Sequence, residues 1–251
     1  MTDSPNAFGR VVLKLSGESF AKPGEQGIDA DELSTIAHEV SQAAKTGVEI
    51  AVVVGGGNMI RGSRLANRVG IDRSTADYMG MLGTVINGMA LKEGLERLGQ
   101  PARLMSALEI PSVAEPFILG RAMRHFAKGR VLILAAGTGN PFFTTDTCAA
   151  LRAAELQADI LLKATKVDGV YTADPLIDPT AERYKELTFQ EAIERQLGVM
   201  DLTALSMCME QNLPIMVFKF KTAGNIARVV AGEPLGTLVA SPESLQAAHV
   251  H

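Results

Sequence analysis

The chain has 251 residues, of which 47% are hydrophobic and 21% charged, and its formal net charge is −4. These values are typical of an ordinary globular protein with enough length for a substantial core. The slightly acidic balance, the lack of a basic-then-apolar leader and the lack of a membrane-length apolar run exclude general nucleic-acid and membrane roles, so we expect a cytoplasmic protein.

Strand-like and helix-like segments alternate from the start of the chain. The runs 11–17 and 49–57 are β-branched and nearly all apolar, as expected of strands that are buried on both faces. Between them, apolar residues recur at helical spacing, and Asp29 is placed to cap that helix. A long helix is predicted from about Ser74 to Leu98.

The same alternation continues to the end of the chain. Further buried strands are predicted at 130–136, 158–164, 214–220 and 236–240, with helices over 145–157, 188–197, 201–211 and 224–231. Alternating strands and helices imply mostly parallel pairing and right-handed crossovers. We therefore predict an α/β fold, a single three-layer α/β/α sandwich over 1–251 with a central, mostly parallel open sheet.

Cysteine and histidine provide no evident metal cage. Cys148 and Cys208 are far apart, each in a helical pattern, which favours buried thiols in a reducing compartment over a disulfide. The four histidines show no metal-ligand spacing with one another or with the cysteines. We expect no metal ligands among the protein's own side chains.

Glycine, lysine and hydroxyl residues lie at the carboxyl ends of four of the predicted strands. Open parallel sheets bind ligands beyond the carboxyl ends of their strands, and a triphosphate needs close backbone amides and positive charge. The four segments are KLSG (14–17), GGGN (55–58), GTGN (137–140) and KATK (163–166). They predict a phosphate site, with Lys14, Lys163 and a helix over 59–68 that begins near the anion.

Plainer explanations remain for each part of this pattern. GGGN also suits a tight strand-to-helix turn, and Lys14 and Lys163 also suit a solvated surface. Two familiar nucleotide signatures are missing: no G-x-x-x-x-G-K-[ST] occurs, and Ile60 stands where a dinucleotide fingerprint has its third glycine.

Five segments carry a resemblance to a known family. They are LKLSGE (13–18), VVGGGN (53–58) with Arg61-Gly62, DYMGMLGTVINGMAL (77–91), GTGNPFFTTD (137–146) and LKATKVDGVYTADP (162–175). In this order, from about residue 10 to 240, the sequence resembles the bacterial-type uridylate (UMP) kinases of the amino-acid kinase superfamily. GTGNPFFTTD together with DYMGML indicates the UMP-specific branch. The resemblance implies the amino-acid kinase fold, with an acceptor lobe at about 10–164 and an ATP lobe at about 165–240.

The resemblance also implies an activity and its binding residues. The γ-phosphoryl group of ATP would pass to UMP to give UDP. The residues that would contact ATP are Lys14, Leu15, Ser16, Gly17, Gly57, Arg61, Thr165, Tyr171 and Asp174. Those that would contact UMP are Gly56, Asp77, Thr138, Gly139, Asn140, Pro141, Phe142, Phe143, Thr144 and Thr145.

The chemistry of the 138–145 loop agrees with a nucleotide acceptor. Its glycine lets the backbone approach a planar base, and Asn140 both donates and accepts, as the edge of uracil requires. Phe142 and Phe143 would exclude water, and the free amides of a helix that opens at 144–146 suit a monophosphate. The alternatives are a simple helix cap at 144–146 and phenylalanines in the core.

The expected mechanism needs no general base, because the UMP phosphate is already ionised. Lys14 and Lys163 would flank the γ-phosphoryl group, Asp146 would orient both lysines by ion pairing, and Mg²⁺ would be carried with ATP. A cap role is the alternative for Asp146. Asp77 would accept from the ribose hydroxyls, and its alternative is a capping box with Ser74.

The sequence is also compatible with two rival functions, and it raises the question of regulation. The rivals are another superfamily phosphotransferase with a different small acceptor, and a non-catalytic nucleotide-responsive regulator. Similarity to the family implies a homohexamer, built as a trimer of dimers, with GTP as activator and UTP as inhibitor. The chain has Lys92 and Glu96 where some relatives carry arginine and histidine, although Arg103 remains. An acid at 96 would repel a triphosphate.

Overall fold

The computed structural model describes residues 6–60, 70–175 and 177–248. Its strands are β1 (Arg10–Leu15), β2 (Glu49–Val54), β3 (Ala102–Ser106), β4 (Glu115–Pro116), β5 (Val131–Ala135), β6 (Ile160–Thr165), β7 (Glu186–Thr188), β8 (Ile215–Lys219) and β9 (Thr237–Ala240). They form one sheet in the order β4-β3-β5-β2-β1-β6-β8-β9-β7. Paired strands of the described chain are parallel, except that β8 and β9 are antiparallel.

The helices flank this sheet. They are α1 (Ala30–Ala44), α2 (Arg73–Arg97), α3 (Leu119–Phe126), α4 (Thr145–Glu155), α5 (Phe189–Glu194), α6 (Leu202–Glu210), α7 (Asn225–Val230) and α8 (Pro242–Ala248), with a 3₁₀ turn at Gly17–Phe20. No helix within the described ranges is long and apolar enough to cross a bilayer.

Two apolar clusters lie on opposite faces of the sheet. Because side chains alternate along a strand, Val11, Leu13 and Leu15 of β1 face α1, α2 and α7 on one side. Val12 faces the other side, where α3, α4, α5 and α6 pack. The predicted three-layer α/β/α sandwich with a mostly parallel sheet is therefore confirmed.

The helix caps confirm one expectation and correct another. Asp29 caps α1 by accepting from the amides of Asp31 and Glu32. The long helix α2 begins one residue earlier than predicted and is capped by Asp72, so the capping box of Ser74 and Asp77 is wrong. Asp77 lies inside the helix, and its carboxylate is free of a cap role.

Candidate active site

The four segments at the carboxyl ends of strands lie side by side. The strands β5, β2, β1 and β6 are consecutive in the sheet, so their carboxyl ends share one edge. Lys14 and Lys163 are register partners on adjacent parallel strands. Both therefore point to the same face of the sheet, which is the face covered by α4 and α6.

One carboxylate bridges the two lysines. Lys14 Nζ lies 2.8 Å from Asp146 Oδ1, and Lys163 Nζ lies 3.0 Å from Asp146 Oδ2. Lys163 Nζ also donates to the carbonyl oxygen of Val199. The three side chains are mostly buried, at 11%, 15% and 15% exposure for Lys14, Lys163 and Asp146. Two cations around one anion leave a net positive charge beside the strand ends.

Burial and ion pairing act against each other in this triad. Burial raises the pKa of the Asp146 carboxyl, but the ammonium groups of Lys14 and Lys163 outweigh it and hold that pKa below its ordinary value. Burial also lowers the pKa of Lys163 below its ordinary value, assisted by Lys14 and opposed by the Asp146 carboxylate. The carboxylate is therefore firmly ionised.

The start of α4 explains how Asp146 comes to face the lysines. Thr144 caps the helix, because its side-chain oxygen accepts from the amides of Asp146 at 3.0 Å and Thr147 at 3.3 Å. The cap explanation therefore holds for Thr144 and is wrong for Asp146, whose carboxylate contacts the lysines instead. The first amides of a helix lack intrahelical partners and favour an anion.

Glycine is required where the loops after β1 and β2 touch. A Cβ on Gly17 would lie 2.4 Å from the backbone nitrogen of Gly57 and 2.7 Å from Asn58 Oδ1. A Cβ on Gly56 would lie 2.5 Å from the carbonyl oxygen of Gly80 in α2. Gly57, by contrast, faces open space. The two loops and α2 therefore pack backbone to backbone around one side of the site.

This packing gives a direct test. Gly17→Ala should destabilise the protein by about 1–3 kcal/mol, because the added methyl overpacks two backbone segments that cannot both move away. We also expect a lower kcat, since the loops would separate. Gly120→Ala is the matched control, because Gly120 lies in α3 with nothing near its added methyl. Chemical denaturation of both variants measures the difference, and equal stability would contradict the close packing.

A cavity of about 200 Å³ lies between α2 and the loop that follows β5. Of the residues predicted to bind UMP, it is lined by Gly56, Asp77, Thr138, Phe143, Thr144 and Thr145. The remaining four, Gly139, Asn140, Pro141 and Phe142, belong to the same loop but do not line the cavity. Gly57, predicted on the ATP side, also lines it, as do Ile60, Ala76, Gly80, Met81, Thr84 and Gly137.

Both phenylalanines of this loop are exposed. Phe142 is 69% and Phe143 52% exposed, so the core explanation is wrong for both. The backbone amide of Phe142, a residue with φ of 72°, donates to Asp77 Oδ2 at 2.9 Å. Arg73 Nε donates to both oxygens of the same carboxylate, at 2.9 and 3.0 Å. Asp77 thus ties the loop to α2.

All of the residues predicted to contact ATP except Arg61 lie in the described part of the chain. Leu15 is fully buried, so only its backbone is available to a ligand. Ser16 caps the 3₁₀ turn. Thr165 Oγ1 donates to the carbonyl of Val167, and the Tyr171 hydroxyl donates to Asp168. The backbone oxygen of Asp174 accepts from the amides of residues 177 and 178. Arg61 and most of the helix predicted over 59–68 lie outside the described residues.

A pair of buried amide side chains was missed from the sequence. Asn58 and Asn87 each donate to the other's side-chain oxygen, at 3.0 and 2.7 Å. Asn58 also donates to the carbonyl of Gly27, and Asn87 to that of Gly55. The pair fixes the glycine loop to α2 and to the 25–27 segment. The signal for this pair in the sequence is Asn87, a polar residue within a largely apolar helical stretch.

Charged residues of the region predicted to bind GTP pair with one another. Lys92 Nζ lies 2.7 Å from Glu96 Oε2, and Arg103 Nη1 lies 3.6 Å from Glu96 Oε1. Arg103 Nε also lies 3.7 Å from Glu115. The cations that would attract a triphosphate therefore already contact carboxylates. Among the described residues, no group of three or more His, Cys, Asp or Glu could hold a metal ion.

Known proteins match this chain over nearly its whole length. The amino acid kinase family model matches residues 9–219. The structure is similar to that of UMP kinase from Bacillus anthracis, with a TM-score of 0.91, 38% identity, and coverage of 94% of this chain and 97% of that one. UMP kinase from Ureaplasma parvum matches with a TM-score of 0.87, 37% identity, and 92% and 98% coverage. Uridylate kinase from Archaeoglobus fulgidus matches with a TM-score of 0.71, 30% identity, and 92% and 99% coverage.

Proposed function

We propose that this chain, which belongs to the amino acid kinase family, is a kinase that transfers the γ-phosphoryl group of ATP to UMP, giving UDP and ADP. The observation that carries this proposal is the buried Lys14–Asp146–Lys163 triad next to a cavity that ends at the start of α4. Its similarity to two bacterial UMP kinases supports UMP as the acceptor.

In the proposed reaction, an oxygen of the UMP phosphate attacks the γ-phosphorus while the bond to the leaving ADP oxygen breaks. The attacking oxygen is already ionised at neutral pH, so no proton has to be removed from it. Catalysis then depends on alignment and on neutralising charge. Lys14 and Lys163 are the catalytic residues that do this, because preorganised cations in a site with little water strongly stabilise developing charge.

Asp146 acts on the lysines rather than on the substrate. With both of its oxygens paired, it holds the two ammonium groups apart and on one side of the sheet edge. The carbonyl oxygen of Val199 accepts a further hydrogen bond from Lys163 Nζ and so restricts this side chain as well. Side chains with such restricted movement lose little entropy on reaching the transition state.

The cavity is the proposed UMP site. Its end at Thr144 and Thr145 offers the positive end of α4 to the phosphate, while Thr138 and Phe143 border the space for the base. The adjoining residues Gly139, Asn140, Pro141 and Phe142 would close over uracil, with Asn140 reading its donor and acceptor edge. Gly56 lets the backbone approach the nucleotide.

ATP would bind on the opposite side of the lysines. The proposed contacts are Lys14 to Gly17, Gly57, Arg61, Thr165, Tyr171 and Asp174, with an acceptor lobe at about 10–164 and an ATP lobe at about 165–240. Mg²⁺ would come with ATP and neutralise part of the charge on its phosphate oxygens. The net positive charge of the triad faces the same phosphates.

Discrimination against the deoxynucleotide tests the role of Asp77. If its carboxylate also accepts from the ribose, kcat/KM for dUMP should be roughly 10- to 150-fold lower than for UMP, the value of one charge-assisted hydrogen bond. In Asp77→Asn the difference in kcat/KM between UMP and dUMP should be smaller. Steady-state rates with both substrates measure it, and equal kcat/KM values in the wild type would remove Asp77 from ribose recognition.

A coupled ADP-release assay tests the function itself. With ATP and Mg²⁺, UMP should be the preferred acceptor over AMP, GMP and CMP, and small carboxylates or carbamate should give only background. A preferred carboxylate or carbamate would instead support a different phosphotransferase. ATP and UMP binding without turnover would support a regulator.

Assembly and regulation are further proposals. We expect a homohexamer, a trimer of dimers, and α2 offers an exposed apolar stripe of Tyr78, Leu82, Ile86 and Met89 for one of its contacts. UTP is the proposed inhibitor. GTP is the proposed activator, with a weak response because Glu96 already pairs with Lys92 and Arg103. The free, buried thiols of Cys148 and Cys208 suit the reducing cytoplasm.

A further inference from the structure

Asp201 joins two helices at the back of the candidate site. It caps α6, where its Oδ1 accepts from the amide of Ala204 at 3.0 Å. The same carboxylate accepts from the hydroxyl groups of Thr144 and Thr147 in the first turn of α4. Thr147 is buried, with 3% exposure. A single side chain thus fixes the starts of α4 and α6 relative to each other.

The hydrogen-bond directions explain why a carboxylate is needed. The oxygen of Thr144 already accepts from the amides of Asp146 and Thr147, so its own proton must go to an acceptor. Asp201 is that acceptor. An ionised carboxylate only accepts, and it therefore never competes for the lone pairs with which Thr144 caps α4.

Asp201 also lies close to the catalytic lysine. The carbonyl of Val199, two residues before it, accepts from Lys163 Nζ. The charge of Asp201 adds to that of Asp146 in favouring the ammonium form of Lys163. The segment 199–201 therefore contacts both the lysine and the helix that supplies Asp146.

We propose that Asp201 is a positioning residue for phosphoryl transfer: by holding Thr144 and Thr147, it keeps the start of α4 and the Asp146 carboxylate aligned with Lys163. This inference rests on the proposed function. Asp201 would touch no substrate itself, and its effect would reach the reaction through the start of α4 and the Asp146 carboxylate.

Asp201→Asn separates the two tasks of the side chain. Asparagine caps helices as well as aspartate does, so the cap of α6 should persist. Its amide group would donate to Thr144, however, and compete with the cap amides of α4. We expect kcat/KM for UMP to fall by roughly 10- to 100-fold, with KM for ATP changed less than threefold.

Two controls make the result specific. Asp29→Asn introduces the same change at the cap of α1, away from the triad, and should leave kcat and both KM values unchanged. Thr147→Val removes one of the hydroxyl groups that Asp201 accepts from. Because both changes act through one contact, the double variant Asp201→Asn/Thr147→Val should lose less than the product of the two single losses.

Amide hydrogen exchange reports on the same contact without any substrate. In Asp201→Asn, the amides of Asp146 and Thr147 should exchange faster than in the wild type, while those of α1 stay unchanged. Faster exchange, together with a fall in kcat/KM for UMP and a nearly unchanged KM for ATP, supports the inference. Unchanged UMP kinetics, or a loss of turnover that follows a lower melting temperature without faster exchange at the start of α4, would overturn it. If the wild-type protein protects the amides of Asp146 and Thr147 from exchange but does not phosphorylate UMP, the proposed function is wrong.

Discussion

Lys163→Ala is expected to lower kcat by at least ~100-fold while UMP and ATP still bind. The ammonium group of Lys163 lies in a mostly buried site and is held by Asp146 and by the carbonyl of Val199. It is therefore preorganised for the charge that develops on the transferring phosphoryl group. Its loss should appear in the chemical step rather than in ground-state binding.

Steady-state kinetics and calorimetric binding of each nucleotide distinguish these effects. Lys22→Ala is the matched control, because Lys22 also pairs with an aspartate, Asp29 at 3.0 Å, but is 51% exposed. That variant should keep kcat within a factor of two. A near-normal kcat in Lys163→Ala, or the same loss in Lys22→Ala, would exclude Lys163 as a catalytic residue.

Asp146→Asn is expected to impair both turnover and folding. Without the carboxylate, two buried ammonium groups face each other, and breaking a buried ion pair on one side costs about 3–5 kcal/mol of stability. We expect kcat to fall by at least ~100-fold, since neither lysine would keep its position. Asp31→Asn, on the exposed start of α1, should change neither property.

The pH dependence of this loss has a definite sign. The pKa of Asp146 is lower in the folded protein than in the unfolded chain, so its pairing stabilises the fold fully above the unfolded value of about 3.9. That contribution disappears as the pH falls through the lower, folded pKa. Urea unfolding of wild type and Asp146→Asn should therefore differ most at neutral pH and converge in acid. A difference that grows as the pH falls would contradict the ion-pair assignment.

The location of the site could be predicted from the sequence because strand ends are easy to recognise. Apolar β-branched runs mark the strands, and the abrupt change to glycine and lysine marks their ends. That β1 and β6 are neighbours does not follow from the runs, since their partners are set by packing across the whole sheet. The in-register contact of Lys14 and Lys163 therefore needed the structure.

Local cap chemistry was ambiguous from the sequence. Asp72, Ser74 and Thr75 all suit a helix start, and only the backbone path selects Asp72 as the cap of α2. Short strands were missed for a related reason. β3 carries an arginine and β4 has only two residues, so neither has the long apolar run that identifies a buried strand.

Contacts between distant polar residues were not predictable at all. The Asn58–Asn87 pair joins residues 29 apart, and Asp201 reaches Thr144 across 57 residues. Neither belongs to a local pattern, because each depends on how helices cross over the sheet. The exposed Phe142 and Phe143 show the same limit, since their apolar character equally suited a core or a binding loop.

A crystal structure with UMP and a non-hydrolysable ATP analogue tests the central claim most directly. We expect the UMP phosphate at the start of α4, the γ-phosphate between Lys14 and Lys163, and the attacking oxygen in line with the bond that breaks. UMP bound outside the cavity, or a γ-phosphate distant from both lysines, would contradict direct transfer at this site.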